Sequence, residues 1–197
     1  MRVRWLSMAG ALVLAGCTPA PPSAPPPTVA DAPGVTPAMA MSAPSPAAGG
    51  FLARYDGYGD LRFGMDATAF DHAWGGKLNG APGPDSSCFY KSPTWVAVPR
   101  DFGFMFEHGH FVRYDVGSAK ETAPGGGKVG MSETQIRALY GARIEVQPHA
   151  YVDGAKYLRV AAPAGDGVLL FETDEDGKVT RWRVGVPPQV DYVEGCS

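Results

Sequence analysis

Two stretches of the chain, 64–75 and 130–141, repeat one pattern of apolar and polar positions. In each stretch, apolar residues recur at i, i+3 and i+4, which form one face of a short helix. These positions are Phe70, Ala73 and Trp74 in the first stretch and Ile136, Leu139 and Tyr140 in the second. The pattern predicts two short amphipathic helices, each of which buries one stripe of side chains.

The residues that flank both stripes are those expected at helix ends. Asp66 and Ser132 are good N-cap residues, and Ser132 with Gln135 fits a capping box. Gly75 and Gly141 follow the stripes, where a residue that tolerates the left-handed conformation can end a helix. Each stretch is therefore predicted to be a capped helix of about two to three turns.

Alternating apolar and polar positions predict strands after each helix. The segments 104–116 and 169–184 both contain an apolar run, a Glu, a turn and an alternating strand, which is typical of a β-hairpin. Further strands are predicted at about 88–98 and 156–161, giving a helix and three strands in each unit. The two phrases recur in the same order at offsets of 65 to 68 residues, so we interpret them as tandem repeats rather than chance similarity.

A short helix on one face of an antiparallel sheet forms an α+β layer. We therefore predict an α+β fold for 51–197, made of two repeats at about 51–120 and 121–197. The two sheets could join into one or pack against each other. A segment of roughly 150 residues is long enough to bury a core of its own.

The start of the chain, 1–17, has the pattern of a secretory signal. Arg2 and Arg4 precede a short apolar run that is too short to span a membrane. The run ends in LAGC, which resembles the lipobox of bacterial lipoproteins and implies acylation of Cys17. An ordinary signal peptide that contains a cysteine is the alternative. By the same resemblance, Thr18 in place of Asp implies the outer membrane of a Gram-negative cell.

The next segment, 18–50, contains ten prolines, and Asp31 is its only charged residue. Such a composition cannot bury enough apolar surface to offset the entropy of ordering, so we predict a disordered linker. The alternative is a recognition segment for a domain that binds polyproline helices. As a linker, it would hold the folded part away from the membrane surface.

Cys88 and Cys196 remain once Cys17 is assigned to the lipid. An even pair in an exported protein predicts a disulfide, and a redox-active thiol is the alternative, although no CxxC motif is present. The chain carries 17 Lys and Arg against 20 Asp and Glu. This mild acidity argues against a nucleic-acid partner.

No motif in the chain calls for catalysis. The nucleophile elbow G-x-S-x-G is absent from the sequence, and we predict neither an enzyme nor a cofactor. His108 and His110 would share one face of a strand, as in some metal sites. Gly109 between them favours a hairpin turn instead, so no metal site is predicted.

The phrase GM-[SD]-xxx-[FI]-xxx-[WY]-G, followed by strands, resembles the repeat of β-lactamase-inhibitor-type proteins. It is also similar to the small lipoprotein subunit of the outer-membrane β-barrel assembly machinery. Both resemblances imply a helical segment on an antiparallel sheet, present twice in the inhibitor. Each inhibitor repeat closes its own disulfide, whereas here one bridge would span both copies.

Three further stretches resemble small secreted lipoproteins of proteobacteria that are labelled lectins. They are YDGYGDLRFGM at 55–65, APGGGKVGMS at 123–132 and PPQVDYVEGC at 187–196. This resemblance covers nearly the whole mature domain and implies carbohydrate binding.

Polar residues alternate with apolar ones in the predicted strands, so one sheet face is expected to point outward. The candidate ligand-binding residues are Trp95, Arg113, Tyr157, Arg159, Arg181 and Arg183. Arg and Tyr are enriched at binding hot spots, and Trp95 could stack on a sugar ring. A merely solvated polar face is the alternative. In that case the loops around 76–87 and 117–128 are the places to seek a site.

These observations predict a non-catalytic lipoprotein of the cell envelope with lectin-like carbohydrate binding. A protein-binding or inhibitor-type module, and a structural envelope lipoprotein without a discrete ligand, are the alternatives. The expected partners are a glycan or an envelope protein, with membrane contact through the lipid anchor only. The domain would lie in the periplasm or at the cell surface.

Overall fold

A computed structural model describes residues 52–84 and 86–196. The predicted signal peptide at 1–17, with Cys17, and the predicted linker at 18–50 lie outside the described residues. The strands and α-helices, in chain order, are β1 (Ala53–Arg54), β2 (Gly57–Tyr58), β3 (Leu61–Arg62), α1 (Ala67–Trp74), β4 (Leu78–Asn79), β5 (Cys88–Pro93), β6 (Phe102–Glu107), β7 (His110–Val116), α2 (Glu133–Tyr140), β8 (Ile144–Pro148), β9 (Lys156–Ala161), β10 (Val168–Thr173) and β11 (Val179–Gly185). Short 3-10 helices at Gly141–Arg143 and Gln189–Asp191 follow α2 and β11.

Eight of the described strands form one antiparallel sheet in the order β4-β5-β6-β7-β11-β10-β9-β8. The two halves of this sheet join edge to edge through β7 and β11, where Tyr114 lies opposite Val184. Strands β1, β2 and β3 form a second, small sheet. The α+β class is confirmed, and the two predicted sheets join rather than pack face to face.

Each half of the large sheet is preceded by a helix and has four strands, one more than the sequence pattern predicts. In the first half, the additional strand is the two-residue β4. In the second half, it is β8, at the opposite edge of the sheet. The shared element order agrees with the tandem-repeat interpretation, which nevertheless stays a prediction.

Both helices begin at the predicted caps. The Asp66 carboxylate accepts hydrogen bonds from two backbone N–H groups in the first turn of α1, and Gly75 ends that helix with φ +68°. At α2, Ser132 and Gln135 form the predicted capping box. Gly141 also has a positive φ, of +58°, but its ψ of −133° differs from the left-handed helical conformation, and a 3-10 turn follows.

The helices pack only part of their predicted apolar stripes on one face of the sheet, because Ala73 and Leu139 are exposed. Phe70 of α1 is fully buried, and its ring centroid lies 4.9 to 5.0 Å from those of Phe104, Phe106 and Phe111. Ile136 of α2 is buried in the same way over the second half. The core is therefore one aromatic and aliphatic layer between the helices and the joined sheet.

The Phe70→Ala variant should lower the free energy of unfolding by about 3–5 kcal/mol, because it leaves a cavity among three rings. Urea denaturation followed by circular dichroism measures this change. Thr68→Ala, at an exposed position of the same helix, is the matched control and should change stability by less than about 0.5 kcal/mol. Equal effects of the two variants would contradict the described core.

The segment 186–196 crosses the other face of the large sheet. Val190 in this segment is fully buried against side chains of β9 and β10. Its end is held by a disulfide between Cys196 and Cys88 of β5, with the two Cα atoms 5.3 Å apart. The predicted disulfide is therefore confirmed, and it fixes a cover over this face.

Replacing Cys88 and Cys196 together with Ser should destabilise the domain, because the disulfide closes a loop with a sequence separation of 108 residues. The chain-entropy model gives a contribution of about 5 kcal/mol for a loop of this length, as an upper figure. Guanidinium denaturation of the oxidised protein and the double variant measures the difference. Ser87→Ala, exposed and next to Cys88, is the control. An unchanged unfolding midpoint in the double variant would refute the role of this bond.

Candidate functional site

The polar face of the large sheet, expected to point outward, is covered in the structure. Arg113 and Arg183 are each only 2 % exposed, and Tyr157 is 5 % exposed. The segment 186–196 lies over these residues and shields them from solvent. The expectation of an exposed binding face is therefore wrong for these three residues. The strand register does bring Arg113 and Arg183 onto neighbouring strands, as part of a buried layer.

Arg113 is held by groups from the sheet and from the covering segment. Its guanidinium donates to Asp115 at 2.5 Å and to the backbone carbonyls of Gln189 and Tyr192 at 3.1 and 2.6 Å. Asp115 also accepts the hydroxyl of Tyr90 at 3.0 Å. Burial lowers the pKa of Arg113, but Asp115, Tyr90 and Glu172 together outweigh burial and hold that pKa above its ordinary value. Arg113 is thus a paired structural cation.

Arg183 is satisfied in a similar way. It donates to the backbone carbonyl of Val190 at 2.6 Å and to Glu172 at 3.1 Å. The other oxygen of Glu172 lies 3.2 Å from Nε2 of His149. Burial, with the nearby positive charge of Arg113, lowers the pKa of Arg183. The covered face is therefore an internal polar layer that connects the sheet to the segment above it.

Arg159 and Arg181 lie at the margin of this layer and keep partial exposure. Arg159 lies 3.3 Å from Asp191 and 3.9 Å from Glu145. Arg181 lies 3.8 Å from Glu172, and its side chain is 31 % exposed. Both arginines thus have carboxylate neighbours within the domain, and their predicted binding role stays a prediction.

Arg113→Ala should lower the free energy of unfolding by about 3–5 kcal/mol, because it leaves Asp115 buried without its cation. Urea denaturation measures the loss. Arg181→Ala removes an arginine from the margin of the same face and should cost less than about 1 kcal/mol. If the two variants were equally stable, Arg113 would not hold the covering segment as described.

Trp95 is the predicted binding residue that the structure leaves open to solvent. It lies in the connection between β5 and β6 and is 73 % exposed. Its ring lies against that of Trp74 at the end of α1, with centroids 6.2 Å apart and planes inclined by 27°. Trp74 in turn contacts Phe104 of the core edge-on, with centroids 5.3 Å apart. The exposed ring is thereby backed by a side chain that is anchored in the core.

The two tryptophans line a cleft of about 780 Å³, which we call the tryptophan cleft. Its walls come from the small sheet, the end of α1, the β5–β6 connection and the β7–α2 connection. The cleft's ionisable and hydroxyl side chains are Tyr58, Asp60, Asp101, Ser118, Lys120 and Glu121. A concave site of this volume with apolar walls and a few polar groups is typical of small-molecule binding.

One hydrogen bond organises the inner wall of the tryptophan cleft. The hydroxyl of Tyr58 donates to Oε2 of Glu121 at 3.0 Å. Burial raises the pKa of Tyr58, and the charge of Glu121 raises it further, so this hydroxyl stays protonated at neutral pH. The bond fixes one oxygen of the carboxylate. The other oxygen, Oε1, has no hydrogen-bond partner in the described part of the chain.

Sequence reasoning finds only part of this site. It identifies Trp95 as a candidate and places Trp74 on the apolar stripe of α1. It gives no signal for Asp60 or Asp101, because isolated carboxylates in turns match no motif. Glu121 falls in the loop around 117–128, which the sequence names as an alternative location for a site.

The described residues contain no group of three or more His, Cys, Asp or Glu side chains placed to hold a metal ion. His108 lies in the β6–β7 turn with φ +50°, as the Gly109 signal predicts. None of the helices in 52–84 and 86–196 has the length and apolar character needed to cross a bilayer. The Cys88–Cys196 disulfide indicates a secreted or cell-envelope protein.

No family model and no curated protein matches this chain. Among solved structures, it is similar to an extracellular protein containing an SCP domain from Bacillus anthracis, with 11 % identity and a TM-score of 0.43. That match covers 63 % of this chain and 44 % of the other, so the chain spans less than half of that protein. It is also similar to the uncharacterized protein YfeY from Escherichia coli, with 14 % identity, a TM-score of 0.46 and coverage of 68 % and 98 %.

A third similar structure is the DUF4309 family protein YjgB from Bacillus subtilis, with 13 % identity and a TM-score of 0.37. The match covers 62 % of this chain and 78 % of that one. These similarities are too low to support an argument about function. The functional proposal therefore depends on the tryptophan cleft.

Proposed function

We propose that the protein is a non-catalytic lipoprotein of the cell envelope whose domain binds carbohydrate in the tryptophan cleft. The exposed ring of Trp95 is the observation that carries the proposal. A large apolar ring that is 73 % exposed, and is held in place by Trp74, offers a flat surface to a ligand. The C–H groups on one face of a sugar ring suit such a surface, because aromatic rings bury much area at little conformational cost.

The polar groups beside the rings suit the hydroxyls of a sugar. The carboxylates of Asp60, Asp101 and Glu121 can accept hydrogen bonds, whereas Lys120 and Ser118 can donate them. A sugar ring has apolar faces and a polar edge. The cleft offers the complementary arrangement, with an aromatic wall and polar groups along the same cavity.

The location of the domain is part of the same proposal. Acylation of Cys17 would anchor the chain in the outer membrane, and the linker at 18–50 would let the domain reach envelope glycans. Both segments lie outside the described residues. The domain would then work in the periplasm or at the cell surface.

Protein binding, including binding of the inhibitor type, is the second candidate function. The sequence favours it through the resemblance to β-lactamase-inhibitor-type proteins, with the arginines of the outward sheet face as hot spots. Arg113 and Arg183 of that face are buried. A structural role without a ligand has no specific observation in its favour. Carbohydrate binding therefore has the stronger support.

A glycan array probed with the full-length protein in detergent should identify bound saccharides. Trp95→Ala should weaken binding of the best of them about tenfold or more, which corresponds to about 1.4 kcal/mol. Isothermal titration calorimetry measures the change. Tyr151→Ala removes another exposed aromatic ring, outside the cleft, and should leave affinity unchanged.

Two results would count against carbohydrate binding in the cleft. One is an array without any bound saccharide, together with an envelope protein captured by the same preparation. The other is a saccharide whose affinity is the same for the wild type and for Trp95→Ala.

A further inference from the structure

The charges in the tryptophan cleft are unbalanced. Three carboxylates line it, those of Asp60, Asp101 and Glu121. Among the described residues that line the cleft, Lys120 is the single cation. The hydrogen-bond and ion-pair contacts of the described residues give Lys120 no carboxylate partner within 4.0 Å. The cleft therefore presents a net negative charge to a ligand at neutral pH.

The hydrogen-bonding capacity of the cleft is unbalanced in the same direction. Ionised carboxylates only accept hydrogen bonds. The Tyr58 hydroxyl, which could have served a ligand as a donor, is already bonded to Glu121. Oε1 of Glu121 is left to accept from outside. A ligand that fits this site must donate more hydrogen bonds than it accepts.

The aromatic wall adds a preference for positive charge. The face of an indole ring carries negative potential and attracts an ammonium group. Trp95 presents such a face in the same cleft as the carboxylates of Asp60, Asp101 and Glu121. A sugar ring that stacks on Trp95 and carries an amino group would be attracted both by the indole face and by the carboxylates of the cleft.

We propose that the saccharide recognised by the tryptophan cleft carries a free amino group, as in a 2-amino-2-deoxyhexose unit without N-acetylation. This inference rests on the proposed carbohydrate binding and deepens it. The ammonium supplies a positive charge and three donors to a cleft whose carboxylates can only accept. N-acetylation removes the charge and two of those donors. A uronic acid would bring a further negative charge into the cleft and is excluded.

The size of the preference follows from the exposure of the carboxylates. Asp60 and Asp101 are exposed and Glu121 is half-buried, so each attraction is partly screened by water. Each exposed ion pair therefore contributes only weakly to affinity. Several such attractions, together with that of the indole face, should make the amino saccharide bind about tenfold more tightly than its acetylated form. Because these attractions are between charges near solvent, salt should weaken them.

Three tetrasaccharides of equal length test the inference: one of glucosamine, one of N-acetylglucosamine and one of galacturonic acid. Calorimetry on the full-length protein in detergent, at about 0.02 M and about 0.5 M salt, gives the affinity of each. The glucosamine tetramer should bind about tenfold more tightly than the acetylated one at low salt, with a smaller ratio at high salt. The galacturonate tetramer should show no binding.

Substitutions in the cleft separate charge from shape. Glu121→Gln keeps an acceptor for Tyr58 but removes a negative charge. Asp101→Asn likewise removes a negative charge from the cleft. Each should reduce the preference for the glucosamine tetramer severalfold, with little effect on the acetylated one. Asp166→Asn, an exposed carboxylate outside the cleft, is the control and should leave the preference unchanged.

The outcomes distinguish this inference from the proposal beneath it. Equal or tighter binding of the acetylated tetramer, lost in Trp95→Ala, would overturn the amino-sugar preference and keep carbohydrate binding. Binding of the glucosamine tetramer that is unchanged in Trp95→Ala, and is matched by tetralysine, would show simple charge attraction and overturn both. No Trp95-dependent binding of any saccharide would overturn both.

Discussion

The pairing of β7 with β11 makes one sheet from two halves, and the rest of the domain depends on it. This pairing places Arg183 directly opposite Asp115 on one face. The strands approach closely at Gly185, where a Cβ atom would lie only 2.8 Å from the Cβ of Arg113. A side chain at this position would push the halves apart. The join thus brings two arginines and a carboxylate together at the centre of the sheet.

A sheet with buried charges at its centre needs acceptors that add no further charge. The covering segment supplies these as backbone carbonyl groups from Gln189, Val190 and Tyr192. An unpaired buried guanidinium would be very costly, whereas one that is paired and fully hydrogen-bonded is tolerated. The segment is therefore part of the polar interior of the domain. The exposed aromatic ring proposed for binding lies instead in the tryptophan cleft, which other connections of the chain form.

Local features of the fold could be predicted from the sequence, and long-range ones could not. The caps at Asp66 and Ser132 and the hairpin turns are encoded by a few adjacent residues, so the pattern gives them directly. The disulfide partners also follow from counting cysteines. The path of 186–196 cannot be predicted in this way. Its one buried residue lies in a 3-10 turn, so the segment has no periodicity that shows what it covers.

The same difference between local and long-range features explains which residues of the tryptophan cleft could be predicted from the sequence. Trp95 is recognisable because its ring could stack on a sugar, but the sequence pattern places it within a strand at about 88–98, whereas β5 ends at Pro93. The carboxylates of Asp60, Asp101 and Glu121 come from three connections that meet only in the folded chain. Period-2 alternation correctly separates the two sheet faces around Arg113, but it says nothing about whether a face meets solvent or another part of the chain.

The hydrogen bonds of Arg113 also bear on when this domain can fold. Its carbonyl partners lie 76 and 79 residues further along the chain. Until those residues are available, the first half of the sheet has a guanidinium group at its centre without the backbone acceptors that satisfy it. Contacts of such long sequence separation form late and slowly. The first half of the sheet therefore cannot complete its polar interior until the segment after β11 is present.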